Sequence, residues 1–408
     1  MLLFIFYTKL NKLVVRLRML YRVQIRALLR RPVFEIYKKL GLTTVSRETL
    51  VEQAKKYRLL RFSYKELVIA DEPKTIEKIP AFQSKLSPFI INIEQPFVCE
   101  INNSCLAGPA AVGFDEDRNI ILETTTPFHC HKNHLEGSVS IRALVRKSLT
   151  YNAPQIDVAC SLLNAWSQNY WHWIIDCLTR LEGIEFYQQQ TGIKPKLIID
   201  AAPTSWQIDS LKLLGYQSQD CIQWNKSKLK VKKLVVSSFR RHYDKVYSVE
   251  SPSASRWLRA QMLSNLPKDE NLKLFSPRIF ISRRKAEGRR IINENDVIST
   301  LANFGFVTYV LEDMNFTDEV RLFAQAEVVV APHGAGLTNI IFAQNLTVVE
   351  LFGLSVSPCF ANLARGLGFQ YAYLQCQSPH TAFRDHDSDM VVDTIQLEKL
   401  LVQMLTSS

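Results

Sequence analysis

Val328-Val329-Val330-Ala331-Pro332-His333-Gly334-Ala335-Gly336-Leu337-Thr338-Asn339 begins as an all-apolar run, breaks at a proline and two glycines, and resumes with helix-forming residues. Four apolar residues without polar alternation read as a strand buried on both faces, which is the signature of a parallel sheet. In open parallel sheets ligands bind beyond the carboxyl ends of the strands, where loops enter helix N-termini. Gly334 and Gly336 allow close backbone approach, and the amides of the following helix end carry the positive end of its dipole. A diphosphate fits that chemistry. A tight turn using glycine for conformation alone fits the same residues, so the neighbouring segments decide.

Outward from this turn the chain alternates regularly. The pattern predicts a strand at Arg278-Ile279-Phe280-Ile281-Ser282, a helix over 294–303, a strand from Phe306 to Leu311 and a helix over 317–326. After the turn come a short helix, a strand at Thr347-Val348-Val349-Glu350-Leu351, a helix over 359–367 and a strand from Tyr371 to Leu374. Such alternation implies a parallel sheet covered by helices on both faces. Arg283 and Arg284 leave the Arg278 strand at the edge where the glycine turn sits, with Arg289 and Arg290 close behind. Guanidinium groups there suit bidentate pairing with phosphate oxygens. Glu350 ends the next strand, where it either accepts hydrogen bonds from ribose hydroxyls or pairs with one of those arginines. The candidate donor-nucleotide set is therefore Arg283, Arg284, His333, Gly334, Ala335, Gly336, Asn339 and Glu350.

The preceding half reads differently. A helix begins near Ser46 and runs through Glu52 to Leu60. Residues 89–125 alternate like antiparallel strands, with Asp115-Glu116-Asp117 as a turn. From about Asp157 a helix around 169–190, a strand at Lys196 to Asp200, a helix near 205–214 and a strand at Lys233 to Ser237 follow. The expected organisation is a basic arm over 1–65, an acceptor-side α/β domain over 66–250 and a nucleotide-binding domain over 251–408, with the boundary near Ser251-Pro252-Ser253. Within Asn169-Tyr170-Trp171-His172-Trp173-Ile174-Ile175-Asp176-Cys177-Leu178-Thr179-Arg180, the residues His172, Asp176 and Arg180 recur every four positions on an otherwise apolar helix. Ionisable groups on such a face satisfy one another or face a cleft. Either Asp176 pairs with Arg180, or His172 or Asp176 takes a proton from an acceptor hydroxyl. Asn169, Trp173 and Arg180 are expected to support that site or to meet the acceptor.

Charge is concentrated at one end. Residues 1–65 hold 16 Lys and Arg against three acids, a net +13, and the remainder is net −2. Arg18, Arg22, Arg26 and Arg30 share one helical face, and Leu10, Leu13, Val14, Leu17 and Leu20 the other, so this arm reads as an amphipathic helix on an anionic membrane surface. The apolar start, Leu2 to Tyr7, is too short to span a bilayer. Eight scattered cysteines without a CxxC pair suit buried thiols in a reducing compartment.

Together, Asn169-Tyr170-Trp171-His172-Trp173 with Asp176 and Arg180, Ile281-Ser282-Arg283-Arg284 with Arg290 and Asn293-Glu294, and the run from Gly305 to Phe352 with its His333-Gly334-Ala335-Gly336 turn resemble glycosyltransferase family 61. The family includes plant xylan arabinosyl- and xylosyltransferases, animal O-linked N-acetylglucosamine transferases and bacterial polysaccharide-biosynthesis proteins. The resemblance covers roughly residues 150–375. It implies two Rossmann-like domains facing a cleft (the GT-B arrangement), a nucleotide-sugar donor, a hydroxyl acceptor on a glycan, lipid-linked or protein molecule, inversion at the anomeric carbon, and no metal or other cofactor. The expected location is cytoplasmic, peripheral at the inner face of the membrane, with no nucleic-acid partner.

Two clusters are decoys. Asp385-His386-Asp387-Ser388-Asp389 resembles an Asp-x-Asp metal motif but follows no apolar strand, and His129-Cys130-His131 with His134 lacks regular zinc spacing. A dehydrogenase would need GxGxxG with an acid about 20 residues later, and neither is present. The remaining rival is a membrane-recruited nucleotide-binding scaffold without activity.

Overall fold

The computed structural model describes residues 43–63, 65–76, 85–127, 153–225, 228–243, 248–267, 274–378 and 387–406. The basic arm up to residue 42, the His129–His134 cluster and Asp385-His386 lie outside the described residues.

The glycine turn belongs to a five-stranded sheet in the order Val307–Tyr309, Arg278–Ile281, Val328–Pro332, Thr347–Phe352 and Gln370–Gln375, all paired in parallel. Period-two alternation sorts these strands into two cores. Ile279, Ile281, Val329, Ala331, Val348, Tyr371 and Tyr373 face one apolar cluster, whereas Phe280, Val328, Val330, Val349, Leu351, Ala372 and Leu374 face another. Helices Phe316–Gln325 and Cys359–Gly366 cover the first face. Helices Glu294–Ala302 and Thr394–Leu405 cover the second. The sequence pattern anticipates every one of these except Thr394–Leu405, which Asp393 caps through two backbone amides. The segment after the turn is a 3-10 helix, Ala335–Phe342, fully buried from Leu337 onward. The strand expected over Phe306 to Leu311 is shorter, because Leu311–Asp313 closes into a 3-10 turn.

A nine-stranded mixed sheet forms the other layer. Lys228–Ser237 is its centre, pairing antiparallel with Phe97–Ala107 and parallel with Gln155–Ser161, which continues in parallel to Lys196–Ile199 and Cys221–Gln223. Val112–Phe114 and Ile120–Ile121 extend the antiparallel side, with Asp115 at the expected turn, its carboxylate accepting from the Asn119 amide. The helix capped by Ser46 covers only Arg47–Glu52. Leu59–Arg61, of which Leu59 and Leu60 are expected to end that helix, instead pairs antiparallel with Phe97–Cys99, so tertiary pairing overrides local helix preference.

One apolar cluster runs through both sheets. Val98, Leu162 and Val235 from the larger sheet and Ile279, Val329 and Val348 from the smaller one meet across the helical run from Tyr170 to Thr191. Among the described residues no helix is long and apolar enough to cross a membrane.

Candidate active site

Arg283 leaves the sheet one residue beyond Ser282 and lies against Gly334. A Cβ built on Gly334 would stand 2.2 Å from Arg283 Nη1 and 2.9 Å from Cζ. Gly334 has φ 177, an extended conformation open to any residue. Glycine is needed here for close approach, and the group that approaches is a guanidinium. Burial, with Arg289 nearby, pulls Arg283 down to about 10. Its Nη2 donates to Gly288 O at 3.1 Å, and its buried Nε has no acceptor among the described residues. Gly336 serves packing, since its Cβ would meet Leu311 Cδ1 at 2.7 Å. Arg284 turns away, donating Nε to Ser282 Oγ at 3.2 Å near the Glu294 carboxylate, and stays half exposed.

The rest of the turn is tied inward. His333 Nδ1 meets Glu350 Oε1 at 2.5 Å, and Tyr371 donates to Glu350 Oε2 at 2.6 Å. Glu350 is completely buried with both oxygens engaged, so it holds His333 and pairs with none of the arginines. The His333 ring stacks on Phe352 and tilts against Phe360. The Ala335 carbonyl accepts from Thr338 Oγ1. Asn339, also fully buried, accepts from the Tyr170 hydroxyl and donates to Glu319 at 2.8 Å. The turn and the 169–180 segment are thereby joined, a link reinforced by Trp171 and His333 both contacting Phe360.

Burial pushes the Glu319 carboxyl up to about 7. Its folded value lies above its unfolded one of 4.5, so folding is favoured at low pH and loses this contribution as pH rises from about 4.5 to 7. Above that window the ionised carboxylate costs about 3 kcal/mol. Glu319→Gln, which retains an acceptor for Asn339, is expected to melt higher than wild type at pH 8 and no higher at pH 4.5. An equal shift at both pH values would refute the charge argument.

The 169–180 segment is not a regular helix. Asn169 caps Tyr170–His172, a π-helical turn spans Trp173–Cys177, and a 3-10 turn, Leu178–Arg180, leads into helix Leu181–Thr191. Trp173 is fully buried and donates Nε1 to Ser210 Oγ at 2.9 Å, a supporting role. His172 Nδ1 meets Asp176 Oδ2 at 2.6 Å, as the spacing of four requires. Arg180 is not the partner of Asp176. The change of winding turns it to Ser237 O and Glu123 O, at 3.0 and 3.3 Å, with its guanidinium over Phe239. Arg241 takes its place, donating Nη1 to Asp176 Oδ1 at 3.1 Å. Burial raises the Asp176 carboxyl, but Arg241 and His172 more than offset it and hold it below its ordinary value. An ionised, sealed Asp176 keeps the proton on Nδ1 and leaves Nε2 as the accepting nitrogen. The His172 side chain is 24% exposed, against 0% for Asp176, so of the pair only His172 meets solvent. Beside it stands the half-exposed Trp166 ring, centroid 4.8 Å away.

Arg241 and Trp166 were not among the sequence candidates. Arg241 lies 65 residues from Asp176, and no local periodicity announces the pair. Of the decoys, Asp389 binds Arg290 through its side chain, and Asp387 accepts the Arg289 amide. No group of three or more His, Cys, Asp or Glu is placed to hold a metal among the described residues.

A family model described as Glycosyltransferase 61 matches residues 170–349. Over 123 residues the chain is 30% identical to the EGF domain-specific O-linked N-acetylglucosamine transferase of Rattus norvegicus, covering 29% of this chain and 22% of that protein. Over 78 residues it is 40% identical to the protein O-linked-mannose beta-1,4-N-acetylglucosaminyltransferase 2 of Homo sapiens, covering 18% of this chain and 13% of that protein. The matched stretches span less than a quarter of the length of these relatives. The matched region contains the Tyr170 segment, the Arg283 strand end and the Gly334 turn, which meet in one site, and over residues 170–349 the chain is similar to glycosyltransferase family 61.

Proposed function

We propose that the chain transfers a sugar from a nucleotide-sugar donor to a hydroxyl of a glycan, lipid-linked or protein acceptor, by inversion and without a metal. The observation that carries this reading is Arg283. It is a largely buried cation in the notch left by Gly334, with an unsatisfied Nε and no carboxylate in ion-pair contact among the described residues, Glu312 and Asp387 acting on it only at longer range. Such a group is costly unless an anion completes it. The donor diphosphate is that anion, with the helix-end amides after Gly334 supplying further donors.

Transfer then needs a base opposite the leaving group. His172 Nε2 removes the acceptor hydroxyl proton, the oxygen attacks the anomeric carbon in line, and the bond to the diphosphate oxygen breaks. Arg283 compensates the charge that develops on that oxygen, with His333 beside it. In this reading the five-stranded parallel sheet is the donor-side lobe of a GT-B arrangement and the nine-stranded mixed sheet, parallel only on one side, the acceptor-side lobe. The names of both relatives specify N-acetylglucosamine transfer, so N-acetylglucosamine nucleotides are the first donors to try. The +13 charge of residues 1–65 supports work at an anionic membrane surface.

Calorimetry of the full chain with nucleoside diphosphates, with and without chelator, tests the donor site. Binding that survives chelator is expected, followed by nucleotide release from at least one nucleotide sugar on addition of acceptor. Absence of binding by every nucleoside diphosphate, or its abolition by chelator, sinks the proposal.

A further inference from the structure

We propose that Arg241 is a positioning residue for the proton transfer: it neutralises Asp176 so that the His172 imidazole stays uncharged and able to accept a proton, while Ser248 holds Arg241 and Glu250 flanks it from the opposite side. This rests on the reading of His172 as the base.

The geometry is a buried chain of four groups. His172 Nδ1 lies 2.6 Å from Asp176 Oδ2, Arg241 Nη1 donates to Asp176 Oδ1 at 3.1 Å, and Arg241 Nη2 stands 3.1 Å from Glu250 Oε1. Arg241 and Glu250 are direct cross-strand partners on the hairpin Arg241–Tyr243 and Ser248–Glu250, and Arg241 Nε donates to Ser248 Oγ at 2.7 Å. The guanidinium also lies over the Trp171 and Tyr243 rings. Asp176 and Glu250 are sealed, and Arg241 is 7% exposed.

Charge counting assigns the role. A buried carboxylate needs one counter-charge. If Arg241 did not supply it, an imidazolium at His172 would, and a base that already holds its proton cannot take another. With Arg241 in place, Asp176 orients the ring and fixes its tautomer without trapping a proton on Nε2. Glu250 competes for the same cation only weakly, because burial pushes its carboxyl up to about 7 and its contact with Arg241 is close but misaligned for a hydrogen bond. Facing the chain from helix Cys359–Gly366 is the Cys359 thiol, which burial raises to about 12, so it adds no charge near neutrality. Beyond Phe360 lies the His333–Glu350 pair.

The test is a titration of ¹³C-labelled histidine in the full chain, with the His172 resonance assigned by its loss in His172→Asn. In Arg241→Gln the His172 midpoint is expected to rise by about one pH unit, and the acid limb of kcat/KM for transfer to move up with it. Arg241→Lys should restore most of the shift. In an Asp176→Asn background Arg241→Gln should move nothing, because its effect passes through that carboxylate. If Arg241→Gln does not fold, Arg241→Gln/Glu250→Gln, which removes one buried group of each sign, carries the same measurement with the same expected direction. A His172 midpoint unchanged or lowered in a folded variant overturns the role of Arg241, whatever the rates do. A raised midpoint in a chain that transfers no sugar leaves Arg241 as assigned and removes the transferase reading instead.

Discussion

His172→Ala is expected to lower sugar transfer by about 10²–10⁴-fold at saturating acceptor, while nucleotide affinity and melting temperature stay near the native values. The loss is chemical because, of His172, Asp176, Arg241 and Glu250, the imidazole is the one group with an appreciable face to solvent. Its removal costs little packing, chiefly the tilted contact with Trp166, and leaves Asp176 still paired with Arg241. Asp176→Asn separates orientation from basicity. The amide keeps the shape but no longer holds the Nδ1 proton as a charged acceptor, so the ring loses its preferred tautomer and Nε2 its lone pair. That variant should fall in rate by a comparable factor and also lose stability, since the buried Arg241 then loses its hydrogen-bonded counter-charge and Glu250 is misaligned to replace it. Purified variants assayed for transfer, nucleotide affinity and melting separate the cases. Two variants that turn over like wild type, or two that simply unfold, would place the base elsewhere.

Period and spacing made some of this site legible in the sequence. All-apolar strands alternating with amphipathic helices need no partner information to be read, and Arg283, His333 and Gly334 follow from where such strands must end. The pairing of His172 with Asp176 is legible for the same reason, being local. What escaped was tertiary. Arg180 shares a face with Asp176 only if the winding is regular, and the π turn at Trp173–Cys177 followed by a 3-10 turn breaks that rule. Arg241 and Glu250 sit together through a cross-strand register that the residues between them do not advertise. Glu350 was recognised as an unusual acid at a strand end, yet its partners, His333 and Tyr371, come from two different neighbouring strands. A polar residue in a buried strand signals that a partner exists without naming it.

The close approach of Arg283 to Gly334 gives the second large effect. Arg283→Ala should weaken nucleoside diphosphate binding by about 1.5–3 kcal/mol, the range for a charge-assisted hydrogen bond. Gly334→Ala should do nearly the same without touching the arginine. Its backbone conformation accepts alanine, so no main-chain strain is involved, but the new Cβ would fall 2.2 Å from Nη1, 2.9 Å from Cζ and 3.4 Å from Nε. A guanidinium at the end of a flexible side chain relieves that overlap by swinging away, which costs little stability and removes the cation from the turn. The two substitutions therefore act on one interaction, and the double variant should bind scarcely worse than either single one, a coupling that a double-mutant cycle by calorimetry reads directly. If instead the two losses add, Gly334 serves the ligand through its own backbone and Arg283 through a separate contact. If Gly334→Ala binds like wild type while Arg283→Ala does not, the guanidinium reaches the diphosphate from a position that a methyl group at Gly334 does not disturb.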